Sequence, residues 1–308
     1  MWVTAHGGAP LPPDHVVFSR ATDPGSSITI SFPPAPLYVS QSASIRQGNV
    51  RLDLAGNQWD LALHLEVGPY YGHPQATVAN GTINSVAGFI AGRPTSEGHL
   101  TLDNATWSVS SALTIGSAPA PGSAGILPGA FGGAGSLTIE NNSEVDVGGT
   151  LTLWQSAVVN LTDGVLTAAA IDNGGKFNFT GGTLHVDNFN GELRNVGGTL
   201  APGTSIGTTS IMPGYFQFAG GTLAIEIGGP GAVDYDRLIT GLASLDGRLD
   251  VSLLGRLRAV AGRHVRYSRL WQHHWIVRIN QSAHACRRAA MGRIAALCQR
   301  RAVGAAAI

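Results

Sequence analysis

Two stretches of this chain decide its fold: GHLTLDNATWSVSSALTIG at residues 98–116 and GSLTIENNSEVDVGGTLTL at residues 135–153. They align with a one-residue insertion, and the matched pairs are Leu100 with Leu137, Leu102 with Ile139, Asn104 with Asn141, Leu113 with Leu151, and Ile115 with Leu153. Apolar and polar residues alternate within each stretch, which is the pattern of a β-strand. Self-similar strand segments predict layers that each bury an apolar face on the next.

The same pattern extends from about residue 48 to residue 254, as short alternating runs broken by Gly, Asn or Asp. Residues 48–68 give a looser third copy, in which Trp59 and Gly68 have the same separation as Trp107 and Gly116. Gly-Gly-Thr-Leu sequences also recur about every 20 residues, a spacing typical of solenoids. A β-sandwich, which also contains many short strands, is the competing arrangement.

The expected fold class is all-β. We predict a right-handed parallel β-helix, that is a solenoid, over residues 48–254. An irregular entry segment at residues 1–47 precedes it. The Pro- and Gly-rich residues 117–135 are expected to form a loop that leaves the stack.

Charge divides the chain near Gly255. Residues 1–255 hold 8 Lys and Arg against 19 Asp and Glu, a formal charge of −11, and no Cys. Residues 256–308 hold 11 Arg and no acidic residue, which makes this tail +11. A body without thiols fits an exported bacterial protein. No apolar run is long enough for a transmembrane helix, and no signal peptide opens this reading frame, so an export signal is expected outside it.

The tail, residues 255–308, is expected to be non-native, disordered or helical, as the product of a one-base frameshift near codon 255. Read one base out of frame, its codons permit an acidic sequence broken by Gly, like that of the body. At three places the shifted frame leaves no choice of residue, and each result fits the strand pattern: Gly from Trp271-Gln272, Gly from Trp275-Ile276, and Trp from Met291-Gly292. Genuine functions remain as alternatives. Arg with Trp271, Trp275 and Tyr267 suits a nucleic-acid or membrane surface. Residues 283–302 favour a short Ala-rich helix.

Zinc is another alternative for the tail, and its candidate ligands are His273, His274, His284, Cys286 and Cys298. They lack the paired C-x-x-C spacing of a zinc site.

Several segments together resemble a group of bacterial exported proteins, best known from planctomycetes, that carry autotransporter-associated β-strand repeats and often a PEP-CTERM sorting signal. The matching segments, in chain order, are Trp2 to Phe18, GNVRLDLAG at 48–56, GGTLAPGTSIGT at 197–208, GGTLAIEIGG at 220–229, and DYDRLITGLASLDGRLDVSLL at 234–254. The resemblance implies a structural or adhesive surface component. It supplies no catalytic residue.

Two motifs suggest chemistry. Gly203-Thr204-Ser205-Ile206-Gly207 matches the G-x-S-x-G nucleophile elbow, but Pro213 and alternating residues follow it instead of a helix, and later His residues occur only in the tail. We interpret it as a turn.

Four acidic residues offer oxygen ligands for calcium, but they lack the loop spacing that calcium sites need. We interpret them as solvated residues at strand edges: Asp234, Asp236, Asp246 and Asp250.

An enzyme built on this scaffold needs a close pair of carboxylates, usually with a cation. The candidates are Asp163, Asp172, Asp187, Glu192, Lys176 and Arg194. They show no recurring constellation. Left-handed turn positions are assigned to Asn141, Asn160, Asn173 and Asn195. His185 is expected to face outward alone, and core or flank packing is preferred to a sugar-stacking platform for Trp59, Trp107 and Trp154.

The sequence therefore predicts a non-enzymatic exported bacterial surface or matrix protein with a structural or adhesive role. Extracellular polysaccharide and cell-surface components are the expected partners. No catalytic, cofactor-binding or metal-binding residue is assigned, and neither nucleic acid nor a membrane span is expected. The alternative is a carbohydrate-binding or polysaccharide-degrading β-helix protein. A groove with two carboxylates and exposed aromatic side chains would favour that alternative, and a flat surface covered by Thr and Asn would favour the structural role.

Overall fold

The structure is a computed structural model that describes residues 14–19, 27–34, 37–69, 72–118, 132–229, 231 and 233–254, together with the backbone of 265–267, 275–277 and 294–296. Over these residues the chain is all-β and contains no helix. The strands are β1 (His15–Ser19), β2 (Ser27–Ser31), β3 (Tyr38–Ser40), β4 (Ser42–Gln47), β5 (Asn49–Asp53), β6 (Gln58–Val67), β7 (Gln75–Ile90), β8 (Glu97–Ile115), β9 (Ala134–Glu140), β10 (Glu144–Leu153), β11 (Val158–Leu161), β12 (Val165–Asn173), β13 (Lys176–Phe179), β14 (Thr183–Asn190), β15 (Leu193–Asn195), β16 (Thr199–Leu200), β17 (Thr208–Gln217), β18 (Thr222–Ile227), β19 (Arg237–Ser244), β20 (Arg248–Leu253), β21 (Val265–Tyr267), β22 (Trp275–Val277) and β23 (Ile294–Ala296).

Strands β1–β20 pair with one another in parallel and form three ladders. Ladder one joins β2, β5, β9, β11, β13 and β15 to the first parts of β7 and β8 and the last parts of β17 and β19. Ladder two runs from β3 through the middle of β8 to β16, β18 and β20. Ladder three runs from β1 and β4 through the end of β8 to the start of β19. We call three successive segments, one from each ladder, a layer.

This parallel pairing excludes the β-sandwich, whose sheets are antiparallel. The residues that align in the sequence are direct partners: Leu100 lies beside Leu137 in ladder one, and Leu113 lies beside Leu151 in ladder three. The inserted residue is accommodated at Asn142, which adopts a left-handed backbone with φ 58°.

The core forms because alternate side chains of every strand point inward and stack on the equivalent side chains of the next layer. One inward column of ladder two consists of Trp59, Ile83, Trp107, Val145, Leu166 and Leu184, all almost fully buried. Burying each such side chain contributes about 1.5–3 kcal/mol. The packing is tight, because a Cβ at Gly88 would lie 2.5 Å from the Trp107 ring.

In the early layers, the turns between ladders one and two use the left-handed backbone region. Asn80, Asn104 and Asn141 have φ of 53°, 53° and 52°. Their side chains also connect layers, since Asn104 Nδ2 donates to Asn80 Oδ1 at 3.0 Å and Asn141 Nδ2 donates to Asp103 Oδ1 at 2.8 Å. Asparagine tolerates this conformation because its short side chain bonds locally.

The left-handed assignment is confirmed for Asn141 and is wrong for three other asparagines. Asn160, Asn173 and Asn195 lie in strands β11, β12 and β15 and keep negative φ. Asn160 and Asn195 bond across layers from within their strands, and Asn195 Oδ1 also accepts from the Gly198 amide in the turn that follows.

The expectation of an irregular segment over residues 1–47 is also corrected, because β1 to β4 lie within it and join the ladders. Val16 and Phe18 are buried, so these short strands close one end of the core. The alternation of apolar and polar residues in these strands is short and is flanked by Pro and Gly. The sequence pattern was therefore interpreted as irregular.

The predicted loop at 117–135 lies outside the described residues from 119 to 131, and its last two residues begin β9. Most of the predicted helix at 283–302 also lies outside them. Its three described residues form β23 instead, which pairs antiparallel with Leu249, Asp250 and Val251 of β20.

Candidate functional site

A shallow groove of about 460 Å³ lies where ladder two meets ladder three. Four of its residues occupy one outward column of ladder two in successive layers, Asp60, Asn84, Ser108 and Asp146. The strand pairing is irregular where ladder two passes into ladder three. The pairing register shifts there in β6, β7 and β10. Small residues such as Ser110 and Gly148 keep the floor open.

The two carboxylates of this groove are too far apart to act as a glycosidase pair. They are three layers apart, and neighbouring strands lie about 4.8 Å apart, so their main-chain positions are separated by about 14 Å. Retaining glycosidases need about 5–5.5 Å between carboxyl groups and inverting ones about 6.5–9.5 Å. Asp60 is also engaged already, since it accepts from Asn84 Nδ2 at 2.7 Å and Gln58 Nε2 at 2.8 Å.

The residues that the sequence offered for an enzyme are not gathered. Asp172 lies in ladder three and accepts from Asn190 Nδ2 at 2.9 Å, and Asp163 accepts from the Gly164 amide at 2.9 Å. Lys176 lies exposed on ladder one, and Asp187 is exposed on β14. Of the six candidates, Glu192 and Arg194 form an ion pair with 2.8 Å between Oε1 and Nη1.

The G-x-S-x-G motif lies in the turn between β16 and β17, and Ser205 is exposed there. No helix follows this turn, because β17 begins at Thr208, so the interpretation as a turn is confirmed. His185 is not the lone surface residue that we expected. Its Nδ1 lies 3.1 Å from the Ala201 carbonyl oxygen and also contacts the Gly203 carbonyl, which ties β14 to the same turn.

Asp236 is the buried acid of this region, with only 2% of its surface exposed. Its carboxylate accepts from the Gly207 amide at 2.8 Å and the Glu226 amide at 2.7 Å. Burial raises the pKa of Asp236 above its ordinary value, while the two amides and nearby His185 act against that rise. Its interpretation as a solvated strand edge is therefore wrong, and its place just before β19 gave no sequence signal of burial.

The other aspartates offered for calcium are bound locally. Asp234 accepts from the Gly231 amide at 2.9 Å, Asp246 from the Gly247 amide at 2.8 Å, and Asp250 pairs with Arg248. Among the residues that the structure describes, no three His, Cys, Asp or Glu side chains are grouped as they would be around a metal ion. The tail residues proposed for zinc lie outside the described part.

Core packing is confirmed for two of the three tryptophans. Trp59 and Trp107 are fully buried, and their indole N–H groups donate to Ser40 Oγ at 2.8 Å and Ser85 Oγ at 3.1 Å. Trp154 is instead exposed beyond the end of β10.

A feature that sequence reasoning missed is an aromatic patch on the outer face of ladder one, which we define as Glu192, Arg194, Phe216 and Phe218. The Arg194 guanidinium carbon lies 5.0 Å from the Phe218 ring centroid and 6.0 Å from that of Phe216. Phe218 is 37% exposed. The alternation around Phe218 was visible in the sequence. The sequence did not show that Phe216 and Phe218 lie in the layer next to Arg194.

No family model, curated protein or solved structure matches this chain. Within the described residues, no helix is both long and apolar enough to cross a membrane.

Proposed function

We propose that the chain is a non-enzymatic exported bacterial protein with a structural or adhesive role at the cell surface or in the extracellular matrix. We also infer that its parallel ladders wind as a right-handed β-helix, because connections between parallel strands are right-handed in nearly all proteins. The family resemblance of the sequence supports export and surface location.

The observation that carries the proposal is the outward column of ladder one. Its successive partners are Thr29, Arg51, Thr77, Thr101, Thr138, Asn160 and Asn178. Polar side chains at about 4.8 Å intervals along a continuous core form a flat, regular face. Such a face suits contact with an extended surface or polymer, and further layers lengthen it without a new fold.

Localisation and binding together test this role. An antibody to the chain should detect it on intact cells of its source, and external protease should remove the signal. Purified chain should sediment with isolated cell envelopes and release no reducing sugar from polysaccharide. Detection only in the cytosolic fraction would contradict the surface role, and release of sugar would establish the polysaccharide-degrading alternative.

The groove at Asp60 and Asp146 is the observation that favours carbohydrate binding as a second candidate. Carboxylates and hydroxyl groups along an open groove accept and donate hydrogen bonds to sugar hydroxyls. The separation of the two acids favours binding over hydrolysis.

A further inference from the structure

The outward column of ladder one changes character in its last layers. It is polar as far as Asn160 and Asn178, whose amides are connected by a 2.7 Å hydrogen bond from Asn178 Nδ2 to Asn160 Oδ1. Phe179 pairs with Asn195, so Arg194 follows Asn178 in this column, and Phe216 follows Arg194. The aromatic patch therefore continues a polar face instead of standing alone.

Arg194 is held in place before any ligand arrives. The rings of Phe216 and Phe218 lie beneath its guanidinium, and Glu192 holds one of its nitrogens. A guanidinium has five N–H donors, so donors remain after the single bond to Glu192. A planar group fixed in this way loses little side-chain entropy when it bonds a ligand.

The charge of the patch indicates what it would bind. Glu192 neutralises Arg194, so the patch has no net charge, and it lies on a body of formal charge −11. Nucleic acids and acidic polysaccharides would be repelled by that body. An apolar ring beside fixed N–H donors and side-chain amides instead matches a sugar ring, which has C–H groups on its faces and hydroxyls at its edge.

We propose that the aromatic patch, together with Asn178, binds a neutral extracellular polysaccharide. This rests on the adhesive role proposed above and assigns it a site and a ligand class. The exposed ring of Phe218 takes the apolar face of one sugar unit. Arg194 bonds the hydroxyls of that unit, and Asn178, two layers from Phe216, bonds those of a neighbouring unit.

The test is affinity electrophoresis of the full chain in gels that contain a soluble neutral β-glucan, with alginate as the anionic comparison. The chain should be retarded by the glucan and not by alginate. Phe218→Ala should weaken retardation about tenfold or more, as truncation of a central contact residue does. Phe218→Tyr keeps the ring and should keep binding.

Trp154→Ala is the matched control, because it also removes an exposed aromatic side chain, but at a different place in the stack. It should leave retardation unchanged, and urea unfolding should show that all variants fold alike. Absence of retardation by the neutral glucan, equal retardation by alginate, or equal loss in Phe218→Ala and Trp154→Ala would overturn the proposal. Surface location of a chain that fails to bind glucan would leave the broader role standing.

Discussion

The early and late layers of this molecule complete their cores in different ways. From β5 to β10 most buried side chains are apolar and include two tryptophans, with a few buried polar residues such as Asn57, Ser85 and Ser143. From β15 to β20 the buried polar side chains include two amides and a carboxylate, those of Asn195, Gln217 and Asp236.

These late polar side chains form hydrogen bonds with backbone groups of the turns and strands around them. Asn195 Oδ1 accepts from the Gly198 amide at 2.9 Å, and Gln217 Nε2 donates to the Arg248 carbonyl at 2.9 Å. Asp236 receives two further amides. A buried backbone group needs a partner wherever no strand supplies one. The comparison teaches that apolar side chains complete most of the early core, whereas the late core also depends on specific amide and carboxylate side chains.

The largest effect is expected from the hydrocarbon core of the early layers. Trp107→Ala should lower the free energy of unfolding by about 3–5 kcal/mol, because it opens a large cavity and leaves Ser85 without its donor. Urea unfolding followed by circular dichroism measures this. Trp154→Ala, at the surface, should change stability by less than about 0.5 kcal/mol. Equal effects of the two substitutions would contradict the assignment of inward and outward positions.

The next effect concerns the polar core of the late layers. Asp236→Ala leaves the Gly207 and Glu226 amides without acceptors, and each buried amide left so costs about 1–3 kcal/mol. Urea unfolding should show the loss, and hydrogen exchange should show faster exchange of those two amides. Unchanged protection at Gly207 and Glu226 would break the proposed contrast between the two regions.

A smaller effect is expected at the turns of the early layers. Asn141→Ala places an alanine in the left-handed region and removes a bond to Asp103, which should cost about 1–2 kcal/mol. Asn141→Gly loses the same bond but tolerates the backbone, so it should be less destabilising than the alanine variant. A glycine variant as unstable as the alanine variant would argue against left-handed strain. Both are measured by urea unfolding.

The smallest effect is a difference in pH dependence between the two regions. Hydrogen bonds from Asn141 and Arg51 lower the pKa of Asp103, so its contribution to stability is present above the ordinary aspartate pKa and is lost as pH falls. Burial raises the pKa of Asp236, so its contribution is full at acidic pH and is lost as pH rises through the raised value.

Asp103→Asn and Asp236→Asn should therefore change the pH profile of stability in opposite directions. Relative to the original chain, the deficit of Asp103→Asn should grow from pH 3 to pH 7, and that of Asp236→Asn should shrink over the same range. Urea unfolding at several pH values measures both. Parallel profiles would show that the two carboxylates do not differ in environment.

Much of the strand pattern was predictable, because alternation and matched positions are local signals. Trp59 and Trp107 have the same separation from Gly68 and Gly116, and both glycines adopt positive φ. Side-chain roles that depend on which layer lies beside a residue were not predictable. Asn160 and Asn141 were both assigned to turns from the sequence, yet Asn160 lies in a strand and bonds across layers, whereas Asn141 forms a left-handed turn.

The candidate site was the least predictable part. Burial of Asp236 depends on two turns that approach each other from different layers, and the aromatic patch depends on the register between β15 and β17. Strands β1 to β4 were also missed because their stability depends on contacts with other strands. They are short, and pairing with their partner strands stabilises them.

The central claim is that residues of ladder one lie one above another, one layer apart. Pulsed electron paramagnetic resonance tests it directly, with spin labels on cysteines placed at outward positions after Cys286 and Cys298 are replaced by serine. At about 4.8 Å per layer, backbone separations should be about 14 Å for Thr77 and Asn160, about 19 Å for Thr77 and Asn178, and about 29 Å for Thr29 and Asn178. A regular increase in that order is the predicted result. Distances that do not grow with the number of intervening layers would contradict the account.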